Sequence, residues 1–249
     1  MVRGAQDRWE RVVDDVEAEL TACGTPERAE GEKQYLKSDL EFVGARLGDI
    51  RRITKALQKA HRPVAHEDLV ALVESLWQRP LFERRMAAAI LLELEADALG
   101  VADLTLIERL LRESRTWALV DWLAGDVVAT MRLKDPAVEG TLARWATDED
   151  FWIRRAALLG HLRRLRAGDD LGAFADYADA MLEEREFFIR KAIGWVLRET
   201  GKRRPDEVAA WLSPRTHRAS GVTMREAVKY LPAADRERLM TAYREKRPA

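Results

Sequence analysis

The chain has 249 residues, 34% of them charged, and its 42 Lys and Arg nearly cancel its 43 Asp and Glu, leaving a formal net charge of −1. That length can bury a real core in one large or two small domains, and so small a net charge means that any nucleic-acid partner must be held by basic residues gathered on one face. Cys23 is alone and makes no internal disulfide, the start MVRGAQDRWE has no apolar leader segment, and no membrane span is indicated, so a cytoplasmic protein is expected.

Along the chain, apolar residues recur at three and four positions almost throughout, and Pro63, Pro80, Gly100, Pro136, Gly168, Pro205, Gly221 and Pro232 cut the pattern into helix-length pieces. No stretch reads as a strand, so an all-α fold is expected. Residues from about 1 to 62, including ERAEGEKQYLKSDLEFVGARLGDIRRITKAL, read as a less regular N-terminal cap. From about residue 63 onward LFERRMAAAILL, TWALVDWLAGDV, FWIRRAALLGHL, FFIRKAIGWVLR and TMREAVKYL share one register, and a short flexible tail ends the chain.

In that register Phe82, Trp117, Trp152, Phe188 and Thr223 stand in one column, at a period of about 35 residues. A helix pair of this length cannot bury its apolar faces alone and must stack on its neighbours. The expected fold is a right-handed or similarly curved α-solenoid of HEAT-like helix-pair repeats with a concave face, a single domain over residues 1–249. A monomer is expected, since one chain can cap both ends.

The following columns separate framework from exceptions. Arg84, Leu119, Arg154, Arg190 and Arg225 form one, and Arg85, Val120, Arg155, Lys191 and Glu226 the next, which together read as a basic strip. The column after that holds Met86, Asp121, Ala156, Ala192 and Ala227, so Asp121 is the one charge where other repeats place small or apolar groups. Three places further, Ala89, Ala124, Leu159, Trp195 and Tyr230 put the largest aromatic in a single repeat.

Two readings stand for each of these. Trp117 is either a repeat-core aromatic or a ligand wall; Asp121 is either a helix carboxylate satisfied by a nearby Arg or a reactive group; the basic strip is either a solvated face or a phosphate surface. Convergence favours function: Trp117 and Asp121, four apart, share a helix face, and stacked repeats can bring Arg155 and Trp195 onto the same wall. Aromatic faces attract a cation and Arg side chains grip phosphates, so the set suits a polyanion carrying a misplaced positive charge, as in DNA with a purine alkylated at N3 or N7. His61, His66, His161 and His217 show no metal-ligand spacing, and GxGxxG, P-loop and GxSxG motifs are absent, so no metal and no cofactor is expected.

At EKQYLKSDLEFVG, TWALVDWLA, DEDFWIRRAALLGHL and above all EREFFIRKAIGWVLRET, the sequence resembles the AlkD-type DNA alkylation-repair glycosylases, a family of HEAT-like repeat proteins. The resemblance runs through nearly the whole chain. It implies a metal-independent, cofactor-free hydrolysis of the N-glycosidic bond of N3- or N7-alkylated purines in double-stranded DNA bound on the concave face. Residue by residue, it makes Asp121 the catalytic carboxylate, Trp117 and Trp195 the aromatic walls around the damaged nucleotide, Tyr35 a further aromatic contact, and Arg155 a backbone-positioning cation. Arg154, Arg190, Arg52 and Arg225 join Arg155 as candidate DNA-backbone contacts. Where family members often carry a second Trp before the one at 117, this chain has Thr116, and Ala118 stands where a polar residue is common, which implies a roomier lesion cradle.

One carboxylate suffices for such chemistry, because a cationic alkylpurine already leaves as a neutral base, whereas ordinary glycosides need a second carboxyl to protonate the leaving group. A glycosylase for bulky N3 or N7 adducts of DNA-alkylating natural products and a non-catalytic scaffold for DNA or protein are the alternatives. The segments GKRRPDE and SPRTHRAS stay open between phosphate contacts and solvated loops.

Overall fold

Every regular element among the described residues, 2–62 and 64–245 of a computed structural model, is helical, and the one extended pairing there is an isolated bridge of Glu41 with Leu81. The breaker Pro63 and the tail expected after residue 245 lie outside the described residues. The chain divides into two compact units, Met1–Leu123 and Ala124–Ala249.

The first unit contains α1 (Val2–Cys23), α2 (Pro26–Leu36), α3 (Leu47–Ala60), α4 (His66–Gln78), α5 (Phe82–Leu94), α6 (Leu104–Glu113) and α7 (Trp117–Trp122). Thr25 accepts the N–H of Arg28 and Pro26 opens α2, a pairing that satisfies one orphan donor and removes another. Helix α5 is the axis of this unit. Its MAAAILL stretch is apolar all round, every residue from Phe82 to Leu92 is buried, and α1, α3, α4 and α7 pack about it.

The first turn of α5 also buries charge. The Glu83 carboxylate accepts the N–H groups of Val43, Gly44 and Ala45, the Gly44 bond measuring 2.6 Å, and so clamps the loop between α2 and α3 onto α5. Burial pushes the Glu83 carboxyl up, and the backbone donors oppose that shift. Gly44 is demanded by this loop: its φ is +80°, and a Cβ there would stand 2.3 Å from the Thr25 carbonyl oxygen.

The second unit begins within a π-helical turn, Leu123–Val128, and continues through α8 (Ala129–Lys134), α9 (Val138–Trp145), α10 (Phe151–Leu159), α11 (Leu162–Ala167), α12 (Gly172–Ala180), α13 (Phe187–Gly201), α14 (Pro205–Leu212), α15 (Gly221–Ala227) and α16 (Ala233–Glu245). Helix α13 plays the part of α5, with α10, α11, α14 and α15 against it. The glycine in its AIGWV stretch sets the spacing, because a Cβ on Gly194 would lie 2.7 Å from the Cβ of Glu226 on α15.

The register read from the sequence is the register of helix starts. Phe82 and Trp117 open α5 and α7, Trp152 and Phe188 come second in α10 and α13, and Thr223 comes third in α15. Thr116, Asp150, Glu186 and Ser220 each accept an N–H of the turn that follows. Side-chain bonds repeat the period: Trp77 to Glu113 at 2.9 Å, Tyr177 to Glu139 at 2.6 Å and Arg215 to Asp179 at 2.7 Å join residues 36 to 38 apart, as stacked helix pairs require.

Candidate functional site

Thr116 is buried in extended backbone and its hydroxyl accepts the Ala118 N–H at 3.4 Å, so its role is to start α7 at Trp117. Once started there, the short helix buries Leu119 and Val120 and leaves Trp117, Ala118, Asp121 and Trp122 half-buried on its other face. Trp117 and Asp121 therefore lie one turn apart on a partly open surface. The ring of Tyr35, from the last turn of α2, meets Trp117 edge-on with centroids 5.6 Å apart and planes at 82°, and Tyr35 is 70% exposed. Three of the residues singled out from the sequence thus come together in the first unit.

One residue after Asp121 stands an anchor that sequence reasoning missed. The Trp122 indole donates its N–H to Glu93 on α5 at 3.0 Å. Arg51 on α3 grips both oxygens of Glu93 at 2.8 Å each, and its guanidinium carbon lies 5.6 Å from the Trp122 ring centroid. The available signal was the Trp itself, since a half-buried indole N–H calls for an acceptor.

In the second unit, Trp195 is half-buried on the same stripe of α13 as Phe188, Lys191 and Arg198. Lys191 and Arg198 both pair with Glu226 of α15.

The basic strip departs from expectation. Arg155, expected at a DNA backbone, is only 3% exposed; its guanidinium donates to the Phe188 carbonyl and lies 5.8 Å from the Phe188 ring. Arg154 donates to the Asp148 and Glu149 carbonyls at 2.6 and 2.8 Å and forks onto Glu184 at 3.0 and 2.9 Å, while Arg190 donates Nε to the Glu184 carbonyl at 2.6 Å. Arg84 and Arg85 do the same in the first unit, on the carbonyls of Ser75, Leu76, Trp77 and Glu113. For Arg84 and Arg85 the reason is that the carbonyls at the ends of α4 and α6 have no intrahelical partner and lie at the negative end of the dipole. The Asp148, Glu149 and Glu184 carbonyls stand in the loops before α10 and α13, and the Phe188 carbonyl in the first turn of α13.

Arg52 and Arg225 are different: both are exposed, Arg52 lying 3.5 Å from Asp49. Three arginines of the segments GKRRPDE and SPRTHRAS are likewise held within the unit. Arg204 pairs with Glu207 and donates to the Leu165 carbonyl, and Arg215 and Arg218 converge on Asp179, with Arg215 holding its carboxyl below the usual range. Among the described residues no group of three or more His, Cys, Asp or Glu is placed to hold a metal ion, and no helix is long and apolar enough to cross a membrane.

An all-helical repeat protein with a capped helix presenting Trp and Asp to an aromatic neighbour defines a class, and comparison gives the family. The chain belongs to the DNA alkylation repair enzyme family, whose model matches residues 16–231. Its fold is shared with a predicted DNA alkylation repair enzyme from Enterococcus faecalis, at 24% identity and a TM-score of 0.77, over 84% of this chain and 97% of that one. It is shared also with AlkD2 from Streptococcus mutans, at 17% identity and a TM-score of 0.60, over 82% and 100% of the two chains. The smu.31 protein of Streptococcus mutans UA159 aligns at 18% identity and a TM-score of 0.59, over 75% and 93%. No curated protein matches the chain.

Proposed function

We propose that the protein is a monofunctional DNA glycosylase that hydrolyses the N-glycosidic bond of cationic N3- or N7-alkylated purines in duplex DNA. The observation that carries this reading is the set Tyr35, Trp117 and Asp121: two aromatic rings in edge contact, with a carboxylate one helical turn away on the same half-open face. A cationic base is drawn to the aromatic rings, an attraction worth roughly 0.5–2 kcal/mol according to desolvation. As the bond from C1′ to the base nitrogen breaks, its electron pair leaves with the base and cancels the base's charge, so no acid is required. Asp121 offsets the positive charge left on the sugar and orients water, whose oxygen bonds to C1′ and whose proton passes to the carboxylate or to solvent.

Trp195 is the proposed aromatic contact from the second unit. Exposed Arg52 and Arg225 are the phosphate contacts in this reading, since the guanidinium of Arg155 is committed within its own unit. The small Ala118 on the same face as Trp117 favours a second substrate class, bulky N3 or N7 adducts. The test is incubation of the protein with methylated and with bulky-adduct duplexes, followed by chromatography of free base. Release from either supports a glycosylase and ranks the two classes; no release from both removes the reading.

A further inference from the structure

Among the described residues only two non-glycine residues hold a positive φ, Lys37 at 49° and Arg115 at 53°. Each lies two residues from one ring of the aromatic pair, Lys37 after Tyr35 and Arg115 before Trp117. Left-handed backbone is costly for such side chains and persists only where the surroundings impose it. Here the two segments are also tied directly, by an ion pair of Arg115 with Asp39 at 2.9 Å. The Arg115 side chain is 53% exposed and that of Asp39 68%, so the pair faces solvent and is weakly held.

We propose that Arg115 is a phosphate-binding residue held in waiting by Asp39, and that on DNA binding its guanidinium passes from the Asp39 carboxylate to a backbone phosphate. This rests on the reading that the Tyr35 and Trp117 edge faces DNA. A phosphate flanks any nucleotide touching that edge on either side, and a guanidinium matches a phosphate in the same forked geometry that it offers a carboxylate. The exchange costs little because the pair that is given up is exposed. Asp39 then acts as a built-in competitor: it occupies the cation in the free protein.

The two partners must therefore respond with opposite signs. Asp39→Asn, nearly isosteric, is expected to lower the Kd for duplex DNA about three- to tenfold. Arg115→Asn, chosen because Asn tolerates left-handed backbone, is expected to raise it by a similar factor and to reduce the slope of log K against log salt by about 0.9. The double variant should behave as Arg115→Asn alone. Fluorescence anisotropy with an undamaged duplex, across a salt series, reads all three, and thermal melting confirms that each variant folds. If both single variants weaken binding alike, or Asp39→Asn changes nothing, the pair is a structural tie and the proposal falls. If the variants behave as stated but the wild-type protein releases no alkylated base, the glycosylase reading fails while the Arg115 assignment stands. A wild-type chain that binds no duplex overturns both.

Discussion

The indole N–H of Trp122 is bonded to Glu93 at 3.0 Å, and this ties the residue next to Asp121 to the central helix of its unit. The carboxylate that holds it is itself held by both arms of Arg51. Asp121 sits where α7 passes into the π-helical turn, and Trp122 beside it fixes the rotation of that segment against α5. Replacement Trp122→Phe, which keeps the ring and removes the N–H, should slow single-turnover base release about tenfold, since small misplacements of a reacting group are costly. Binding of undamaged duplex should stay within about twofold. Glu93→Gln, which keeps an acceptor, should fall between wild type and Glu93→Ala. Equal rates in all variants with lowered melting temperatures would reduce the cluster to scaffolding.

Asp121→Asn should lower base release by at least about a hundredfold while leaving duplex affinity close to wild type, because the lost interaction exists only as charge develops on the sugar. Rapid-quench release assays beside anisotropy titrations separate the two quantities. Undiminished release would exclude Asp121 from the chemistry.

Arg155→Ala should act on stability. The change removes a buried guanidinium's bond to the Phe188 carbonyl and its packing near the Phe188 ring, with an expected cost of about 1–3 kcal/mol in urea unfolding. The salt slope of DNA binding should not move. Arg225→Ala and Arg52→Ala should show the converse, unchanged unfolding and a slope smaller by about 0.9 for each lost phosphate contact. A reduced slope in the Arg155 variant would return that residue to the DNA surface.

A pH dependence follows from His161. Its ring is buried in the second unit, edge-on to Tyr177 at 5.4 Å, and its Nε2 makes no hydrogen bond among the described residues, the Glu139 carboxylate standing 4.0 Å away. Burial, and then the charge of Arg132, lower its pKa to about 3. The unfolded chain takes up a proton below the ordinary histidine value near 6.5 that the folded chain refuses, so stability declines as pH falls from about 6.5 toward 3 and is level above it. At pH 5 the loss from this one group is about 2 kcal/mol. Urea unfolding at pH 7 and at pH 5 measures it: the drop in stability between the two should be larger in wild type than in His161→Leu by that amount. Parallel pH responses would contradict the assignment.

Much of the fold was legible because helix starts leave marks in sequence: Thr116, Asp150 and Ser220 are cap residues, and the aromatic column follows each by one to three positions. The four-residue spacing of Trp117 and Asp121 likewise needs only helical geometry. The targets of the arginines were not legible. A guanidinium two to four residues into a helix looks the same whether it meets a phosphate or a peptide carbonyl, and the acceptors of Arg85 and Arg155 lie 28 and 33 residues further on. The Glu93 to Trp122 bond spans 29 residues for the same reason, packing rather than local pattern. Thr116, read from the sequence only as a departure from the family pattern, also has its hydroxyl turned to the helix start.

Some of the arginine contacts that close one helix pair against the next, those of Arg85 and Arg155 among them, join a permanent cation to a neutral oxygen. Mobile ions screen two opposite charges efficiently, but they compete poorly for a short ion–dipole bond shielded from solvent. These joints and the protein's grip on a polyanion therefore belong to different regimes of ionic strength. Brine that strips it from nucleic acid should leave the architecture standing, ready to rebind on dilution.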